Sequence, residues 1–409
     1  MLESVIEREE ALTFLRSPVT IRQRCEAVFE FVRSGRSRHF RLDLEQLNRA
    51  VELTWQVTCE SYPDVASIPV HSRVNHFGVG GVDRLARFEA QLPDPLERAR
   101  SLTDLIVTSV LLDAGAGSSW RYTEADSGVS VGRSEGLALA SYHCLAQGLF
   151  SSDPSRPLQA DAAGLCALST EQLEQAFQAG PENAVVGLEG RAALLRRLGS
   201  ALDGPAFSGL GRVGGLCDTL LARASGGQLP AAELLRTVLE ALATIWPSRT
   251  SLQGVELGDV WPHPAAASEG PAPGLVPFHK LSQWLSYSLF YPLAVAGVTV
   301  SSAEALTGLA EYRNGGLFID TGVISPKHHG VTSGVHLPGS EVVVEWRALT
   351  VALLDRLAER LRQHAGLDPT QLPLGKVLEG GSWAAGRKLA GSLRRGAPPI
   401  RVESDGTLF

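Results

Sequence analysis

The helical spacing of apolar residues constrains the fold of this chain more than any other sequence feature. From Phe278 to Leu289 and again from Leu349 to Leu361, apolar side chains recur every three or four residues, the period of one helix face. Strand-type alternation of apolar and polar residues is rare along the chain. We therefore expect a mainly α, compact multi-helix fold with few or short strands.

Helix start and stop signals locate the individual helices, because capping residues and prolines end the apolar pattern at defined points. A break at Ser17-Pro18 separates two helices within residues 3–34. Further helices are predicted from the Asp43 cap to about Glu60, from Asp94-Pro95 to about Leu112, from Ser134-Glu135 to about Leu149, over Ser169–Ala179, Gly187–Leu202, Val213–Arg223, Ala231–Ile245 and Leu372–Leu378, and after Arg347 to about His364.

The chain of 409 residues is long enough for a large core. We expect a single mainly helical domain over residues 1–409, which could divide into two lobes. Residues 1–150 would form an N-terminal helical lobe containing a site loop at 62–84. Residues 151–273 would be a helical scaffold ending in a proline-rich connection, and residues 274–409 the core part that bears the site.

Composition excludes several classes of function. The net charge of −7 with scattered basic residues argues against nucleic-acid binding, which needs a clustered basic face. No apolar run is long enough for a membrane span. The five cysteines are widely spaced and form no CxxC pair, so we expect neither a zinc ribbon nor a disulfide framework. Reduced thiols fit a cytoplasmic protein.

The stretch from Pro277 to Arg347 contains the first candidate site residues. Pro292 is expected to bend or end the helix that begins near Phe278, because proline cannot donate a backbone hydrogen bond. Ser301 or Ser302 is expected to cap a second helix, with Glu304 near its first-turn amides. That helix is predicted to end in Glu311–Gly316, whose two glycines would let the backbone turn sharply and approach a neighbour closely.

Lys280 and Glu311 are the charged residues of interest at the ends of these two apolar helices. A lone cation and a lone carboxylate in apolar surroundings are typical of a lined pocket. A structural salt bridge between Lys280 and Glu311 explains the same pattern, and spacing alone favours it.

Two other segments are rich in candidate side chains. The loop at 62–84 contains His71, Arg73, Asn75 and His76, which either line a site or bond to loop backbone. The spacing of the two histidines is not that of a metal site. Asp113, Trp120 and Tyr122 follow a helix end. They could bind a sugar or a planar group, or they could mark a helix C-terminus against which the tryptophan packs.

Several long motifs resemble those of the uracil catabolism protein 4 family, which occurs in fungi and bacteria. They are HSRVNHFGVGGVDR, LLDAGAGSSWRY, EYRNGGLFIDTGV, GSEVVVEWRALTV and PPIRVESDGTLF, and the resemblance extends over nearly the whole chain. It implies a role in a route that degrades uracil through nucleotide intermediates to urea. In that route a ring-opening enzyme similar to GTP cyclohydrolase gives a ribosylurea species, on which this family is expected to act.

The core from Phe278 to Arg347 also resembles queuosine salvage proteins, which are helical and cleave an N-ribosidic bond. Their Lys and Asp that line the site match Lys280 and Glu311, the latter longer by one methylene group. Tyr312 and Arg313 match the following YR pair, whereas Asn314-Gly315-Gly316 departs from the family pattern and implies a different leaving group. Glu345 and Arg347 match a later EIR segment of that family and could be structural.

These resemblances imply an N-ribosyl hydrolase that splits ribosylurea or its 5′-phosphate into urea and a ribose product. A ureido C–N hydrolase or lyase elsewhere in the route, and a non-catalytic partner of the ring-opening enzyme, are the alternatives. No cofactor or metal is required. Candidate catalytic residues are Glu311, Lys280 and Asp113. Candidate substrate-binding residues are Arg313, Tyr312, Asn314, Trp120, Tyr122, His71, Arg73, Asn75 and His76.

Overall fold

Helices make up most of the computed structural model, as the apolar spacing predicts. The structure describes residues 2–117, 119–247, 249–266, 270–403 and 407. The helices are α1 (Leu2–Leu15), α2 (Pro18–Arg33), α3 (Leu47–Ser61), α4 (Arg73–His76), α5 (Arg84–Glu89), α6 (Pro95–Leu111), α7 (Arg133–Ala146), α8 (Ala162–Ala167), α9 (Thr170–Ala176), α10 (Leu188–Ala201), α11 (Gly215–Arg223), α12 (Ala231–Ala241), α13 (Lys280–Ser288), α14 (Phe290–Val295), α15 (Tyr312–Asp320), α16 (Gly330–Ser333), α17 (Glu341–Ala365), α18 (Leu374–Val377) and α19 (Trp383–Arg394).

The strands are short and pair two by two. They are β1 (Phe40–Leu42), β2 (Arg121–Thr123), β3 (Ser130–Gly132), β4 (Gln228–Pro230), β5 (Ser251–Leu252), β6 (Val255–Glu256), β7 (Val260–Pro262), β8 (Leu275–Pro277), β9 (Thr299–Ser301), β10 (Ile324–Pro326), β11 (Val335–His336) and β12 (Arg401–Val402). The antiparallel pairs are β1 with β10, β2 with β3, β5 with β6 and β7 with β8. The parallel pairs are β4 with β9 and β11 with β12.

The chain divides into two compact units that interleave along the sequence. The first comprises residues 1–71, 250–283 and 303–403, and the second comprises residues 72–249, 284–302 and 404–409. The site loop predicted at 62–84 contributes to both units, since His71 ends a segment of the first and Ser72 begins a segment of the second.

Most helix boundaries follow the predicted signals. The break between α1 and α2 lies at Ser17-Pro18, and the break between α13 and α14 lies shortly before Pro292. Asp94 caps α6 by accepting the Glu97 N–H at 2.7 Å. An oxygen acceptor at this position satisfies an N–H that the helix itself leaves without a partner.

The prediction of a second helix that ends in Glu311–Gly316 is wrong. Residues 299–301 form strand β9, Ala303–Ala305 form a single 3₁₀ turn, and helix α15 begins at Tyr312. The charged and aromatic cluster therefore starts a helix. The two glycines lie inside α15 without the sharp turn that we expected, although Gly315 does approach a neighbouring helix closely.

The proline-rich connection is more ordered than its composition suggested. It contains β5, β6 and β7, and β7 pairs with β8 so that Trp261 lies opposite Val276. Asp259, immediately before β7, is buried. This segment therefore supplies side chains to the core of the first unit.

Helix α17 forms the centre of the first unit. Its residues 342–354 are all buried. Gly315 of α15 packs directly against it, since a Cβ atom there would lie 2.7 Å from both Trp346 Nε1 and Thr350 Oγ1. Only glycine permits this approach, which fixes the start of α15 against α17.

Helix α6 has the same role in the second unit, where residues 101–111 are all buried. Its buried Asp104 pairs with Arg212, and Asp104 Oδ1 accepts the Gly214 N–H at 2.6 Å. This pairing satisfies a carboxylate that burial would otherwise destabilise. None of the described helices combines the length and apolar character that a membrane crossing demands.

Candidate active site

Glu311 caps helix α15 with its own carboxylate. Oε2 accepts the N–H of Arg313 at 2.8 Å, and Oε1 accepts the N–H of Asn314 at 2.5 Å. The partial positive charge of a helix N-terminus favours an anion at this position. Glu311 is partly exposed, and each carboxylate oxygen keeps a lone pair for a further partner. The structure thus presents a carboxylate in a fixed orientation.

Helix α19 packs against the same end of α15. A Cβ atom at Gly386 would collide with the Arg313 carbonyl, so the two backbones touch there. The Asn314 side chain accepts a hydrogen bond from Ser382 Oγ at 2.9 Å. These contacts tie the segment that follows Glu311 to the start of α19.

Trp383, the first residue of α19, adjoins Arg313. The Arg313 guanidinium lies 4.2 Å from the centre of the Trp383 ring, and its Nε donates to the Tyr312 hydroxyl at 3.1 Å. Arg387 approaches the same ring at 5.5 Å. A guanidinium over an indole face is a favourable cation–π contact. Trp383 is therefore a flat surface flanked by positive charge.

His71 and Glu379 form a close pair beside Trp383. His71 Nδ1 lies 2.5 Å from Glu379 Oε2, and the His71 and Trp383 rings are 5.8 Å apart. Glu379 lies in a single π-helical turn, Leu378–Ser382, between α18 and α19. Such turns are rare and are often found at functional sites. A carboxylate on Nδ1 fixes the orientation of the imidazole.

Tyr62 is the second partner of Glu379. Burial raises the pKa of the Tyr62 hydroxyl, and the negative charge and hydrogen bond of Glu379 raise it further. Tyr62 therefore stays a neutral donor to the carboxylate at physiological pH. Two donors on one carboxylate hold Glu379 more firmly than one would.

Asp259 and Arg347 form a buried ion pair in the same unit. Arg347 Nη1 and Nη2 donate to the two carboxylate oxygens of Asp259 at 2.6 and 2.7 Å. Burial alone would raise the pKa of the Asp259 carboxyl, but Arg347 and the hydrogen bonds from Lys280 and Trp261 hold this pKa well below its usual range. The Arg347 guanidinium also lies 4.2 Å from the Phe278 ring.

This ion pair joins the backbone at both predicted catalytic residues of the first unit. Asp259 Oδ2 accepts the backbone N–H of Lys280 at 3.0 Å, at the start of α13. Arg347 Nε donates at 3.2 Å to the carbonyl of Ala310, the residue before Glu311. Asp259 and Arg347 therefore fix the backbone positions of Lys280 and Glu311 relative to each other.

Arg73 and Asp113 belong to the second unit, where they form a buried cluster of their own. Arg73 Nη1 donates to Asp113 Oδ1 at 2.8 Å, and Arg73 Nε and Nη2 donate to the Ser109 hydroxyl and carbonyl. Ser134 Oγ donates to Asp113 at 2.7 Å. The Arg73 side chain is 0% exposed, so these contacts favour a structural role over phosphate binding.

The remaining candidates of the second unit are also largely buried. His76 packs on Trp284 with 5.8 Å between ring centres, and Asn75 precedes it in α4. Trp120 is 1% exposed and donates its indole N–H to the Phe177 carbonyl at 3.0 Å. Burial raises the pKa of Tyr122 to about 12. For Trp120 the structure favours core packing, one of the two alternatives for this segment.

Three residues of the first-unit site were not among the predicted site residues: Glu379, Trp383 and Asp259. A signal for Glu379 and Trp383 was present, because a carboxylate, two glycines and a tryptophan follow one another in Glu379–Trp383. Asp113 was chosen as a candidate because it, too, is followed by two glycines and a tryptophan. Asp259 had no such signal, since its partner Arg347 is distant in sequence.

Comparison with known proteins identifies relatives over the full length. A family model described as a protein of unknown function (DUF1688) matches residues 14–409. Protein urg3 of Schizosaccharomyces pombe is 39% identical over 413 residues, which cover 98% of this chain and 99% of urg3. Uracil catabolism protein 4 of Lachancea kluyveri is 36% identical over 439 residues, covering 98% of this chain and 99% of that protein.

Proposed function

The chain belongs to the DUF1688 family, and we propose that it acts in uracil catabolism as an N-ribosyl hydrolase that releases urea from ribosylurea or its 5′-phosphate. The name of its full-length relative, uracil catabolism protein 4, supports the pathway. The observation that supports the reaction is the Glu311 carboxylate, fixed at the N-terminus of α15 in the same unit as the His71–Glu379 pair.

Glu311 is suited to stabilising the ribose ring while the bond to nitrogen breaks. Breaking a bond between C1′ and nitrogen builds positive charge on the ribose ring. A carboxylate whose orientation is fixed in advance stabilises that charge without reorganising at the moment of reaction. Glu311 then either attacks C1′ itself or accepts a proton from the attacking water.

The His71–Glu379 pair is suited to protonating the leaving group. Urea is a poor leaving group as an anion, so the electron pair of the C1′–N bond needs a proton. We assign this proton to His71 Nε2, with Glu379 holding the opposite ring nitrogen. Water supplies the hydroxyl at C1′ and, through Glu311, the proton that returns to His71, so that one water is consumed for each urea released.

Arg313, Arg387 and Trp383 provide a place for the rest of the substrate. The ring of Trp383 offers an apolar face, and a guanidinium binds a phosphate with two parallel hydrogen bonds. Arg387 is exposed beside Trp383, whereas Arg313 is 4% exposed and stacked on the Trp383 ring. Arg387 is therefore our first candidate for contact with a 5′-phosphate.

Isotope labelling distinguishes this reaction from its alternatives. Ribosylurea and its 5′-phosphate, each labelled with ¹³C at the ureido carbon, would be incubated separately with the purified chain. N-ribosyl cleavage leaves the label in urea and frees ribose or ribose 5-phosphate. Hydrolysis of the ureido group leaves the label in carbamate or bicarbonate, which the same carbon spectrum resolves.

We expect labelled urea from at least one of the two compounds. Labelled bicarbonate would contradict N-ribosyl cleavage and favour a ureido hydrolase. If both compounds remain intact with the purified chain and urea forms only after the ring-opening enzyme is added, the chain acts as a partner of that enzyme.

A further inference from the structure

His263, Glu341 and Glu345 bring three potential metal ligands together outside the candidate active site. One ligand atom from each lies within 4.8 Å of the other two. Glu341 and Glu345 are four residues apart in the first turns of α17, so both project from the same face of the helix. His263 directly follows β7.

Two of these atoms are buried and lack a hydrogen bond. Among the described residues, neither His263 Nε2 nor Glu345 Oε1 has a hydrogen-bond partner, and both side chains are 0% exposed. The two atoms lie 3.4 Å apart, a distance at which they form an ion pair with each other only when the imidazole is protonated. Buried polar atoms are nearly always satisfied, so this pair of atoms calls for a ligand between them.

The separation fits a shared cation. Two ligands about 2.1 Å from a tetrahedral ion lie roughly 3.4 Å from each other. Two carboxylates this close also repel each other, and a cation between them removes that cost. Two basic side chains approach Glu341 Oε2: Arg38 Nη2 at 2.9 Å and His39 Nε2 at 3.7 Å. The Arg38 side chain is 79% exposed and offsets little of the repulsion.

We propose that His263, Glu341 and Glu345 bind a divalent transition-metal ion of the zinc type. The mixture of one imidazole and two carboxylates suits zinc or manganese better than magnesium or calcium, which prefer oxygen alone. Three protein ligands leave at least one position of the ion for water or another small ligand. This inference does not depend on the proposed ribosyl hydrolase activity.

The remaining contacts of the cluster define what binding must change. Ser37 donates to Glu345 Oε2 at 2.6 Å and thereby orients that carboxylate. Ala265 donates its N–H to His263 Nδ1 at 3.0 Å, so the neutral imidazole has its proton on Nε2. An ion at Nε2 requires this proton to move to Nδ1 and the Ala265 hydrogen bond to break. One neutral hydrogen bond is exchanged for three bonds to the metal.

Titration of the chelator-treated full chain with Zn²⁺ by calorimetry tests the site. Cys59 and Cys166 are exposed and would bind zinc on their own, so the parent protein has both changed to serine. We expect one zinc per chain, with affinity reduced at least about tenfold by Glu341→Gln or Glu345→Gln. The control is His364→Gln, an exposed histidine near the other end of α17 that should leave binding unchanged.

Two spectroscopic readouts report the ligands directly. Co²⁺ in the same parent protein should give d–d absorption without thiolate charge-transfer bands. Zinc should move the His263 proton from Nε2 to Nδ1, which ¹⁵N NMR of labelled histidines detects. If Glu345→Gln disturbs folding, zinc binding is judged from Glu341→Gln, because Glu341 is partly exposed and its substitution should be tolerated. Absence of zinc binding by the parent, or equal binding by the folded Glu341→Gln protein, would overturn the assignment.

Discussion

Arg347 and Asp259 are far apart in sequence and form a buried bidentate ion pair, with both nitrogen–oxygen distances below 2.8 Å. Asp259 accepts from the backbone of Lys280, and Arg347 donates to the backbone before Glu311. The pair therefore has two roles. It stabilises the first unit, and it sets the positions of the two residues that similarity to queuosine salvage proteins singles out.

Removing one member of this pair should destabilise the protein strongly. Asp259→Asn leaves the Arg347 guanidinium buried without a counter-charge, and breaking a buried pair in this way costs about 3–5 kcal/mol. Equilibrium urea denaturation measures the change in the free energy of unfolding. The double variant Asp259→Asn/Arg347→Met should be less destabilised than the sum of the two single variants. Strict additivity would show that the two residues are not coupled.

The two neighbouring glycines of α15 should respond oppositely to alanine. Gly315→Ala places a Cβ atom 2.7 Å from both Thr350 Oγ1 and Trp346 Nε1, and such overpacking costs about 1–3 kcal/mol. Gly316→Ala is the matched control, because its Cβ would meet only Pro399, at 3.4 Å. It should be neutral or stabilising, since alanine favours helices. Equal melting temperatures for the two variants would contradict the packing described for α15.

His279 should make stability depend on pH. Burial lowers its pKa from 6.5 to about 4, and its Nε2 lies 3.1 Å from the Leu15 carbonyl. The unfolded chain therefore binds more protons between these values, so stability falls as pH drops through this window, by about 3 kcal/mol at most. His279→Gln should flatten the dependence of the unfolding free energy on pH between 6.5 and 4. The exposed control His364→Gln should leave it unchanged, and equal curves for all three proteins would refute the assignment.

Glu379→Gln tests the assignment of the proton donor. The variant keeps a hydrogen-bond acceptor for His71 but removes the negative charge, so kcat for ribosylurea should fall about 10- to 100-fold. A riboside with an activated aryl leaving group needs no proton donor and should lose little activity. Glu60→Gln, an exposed position on α3, is the control for both substrates. Equal losses on the two substrates would mean that Glu379 supports folding or binding and not proton transfer.

Local sequence chemistry was sufficient to locate most helices. The Ser17-Pro18 break, the Asp94 cap and the C-terminal end of α17 all lie where apolar spacing and capping residues predict them. Helix α17 begins at Glu341, before its predicted start after Arg347. These signals depend on neighbours within one or two turns, which the sequence displays directly. The mainly α fold class is confirmed for the same reason.

Signals that depend on distant partners were not recognisable. The residues before Tyr312 have a helix-compatible sequence, but distant side chains bind their backbone carbonyls. Arg22 donates to Ala305 and Leu306, and Arg347 donates to Ala310. Glu311 was therefore predicted at a helix end, although it begins one. The importance of Asp259 likewise depends on Arg347, and that of Glu379 depends on His71. A single sequence does not reveal which of its distant charges meet.

We propose that Glu311 acts on the ribosyl bond, and the rate of urea release in a single turnover measures this action. The substrate is the compound that yields urea, and each protein is present in excess over it. The proteins compared are wild type, Glu311→Gln and the exposed neighbour Glu304→Gln. We predict that Glu311→Gln slows urea release by roughly 10²- to 10⁴-fold while its circular dichroism stays native, and that Glu304→Gln matches wild type. Undiminished urea release by a folded Glu311→Gln protein would show that Glu311 does not act on the ribosyl bond.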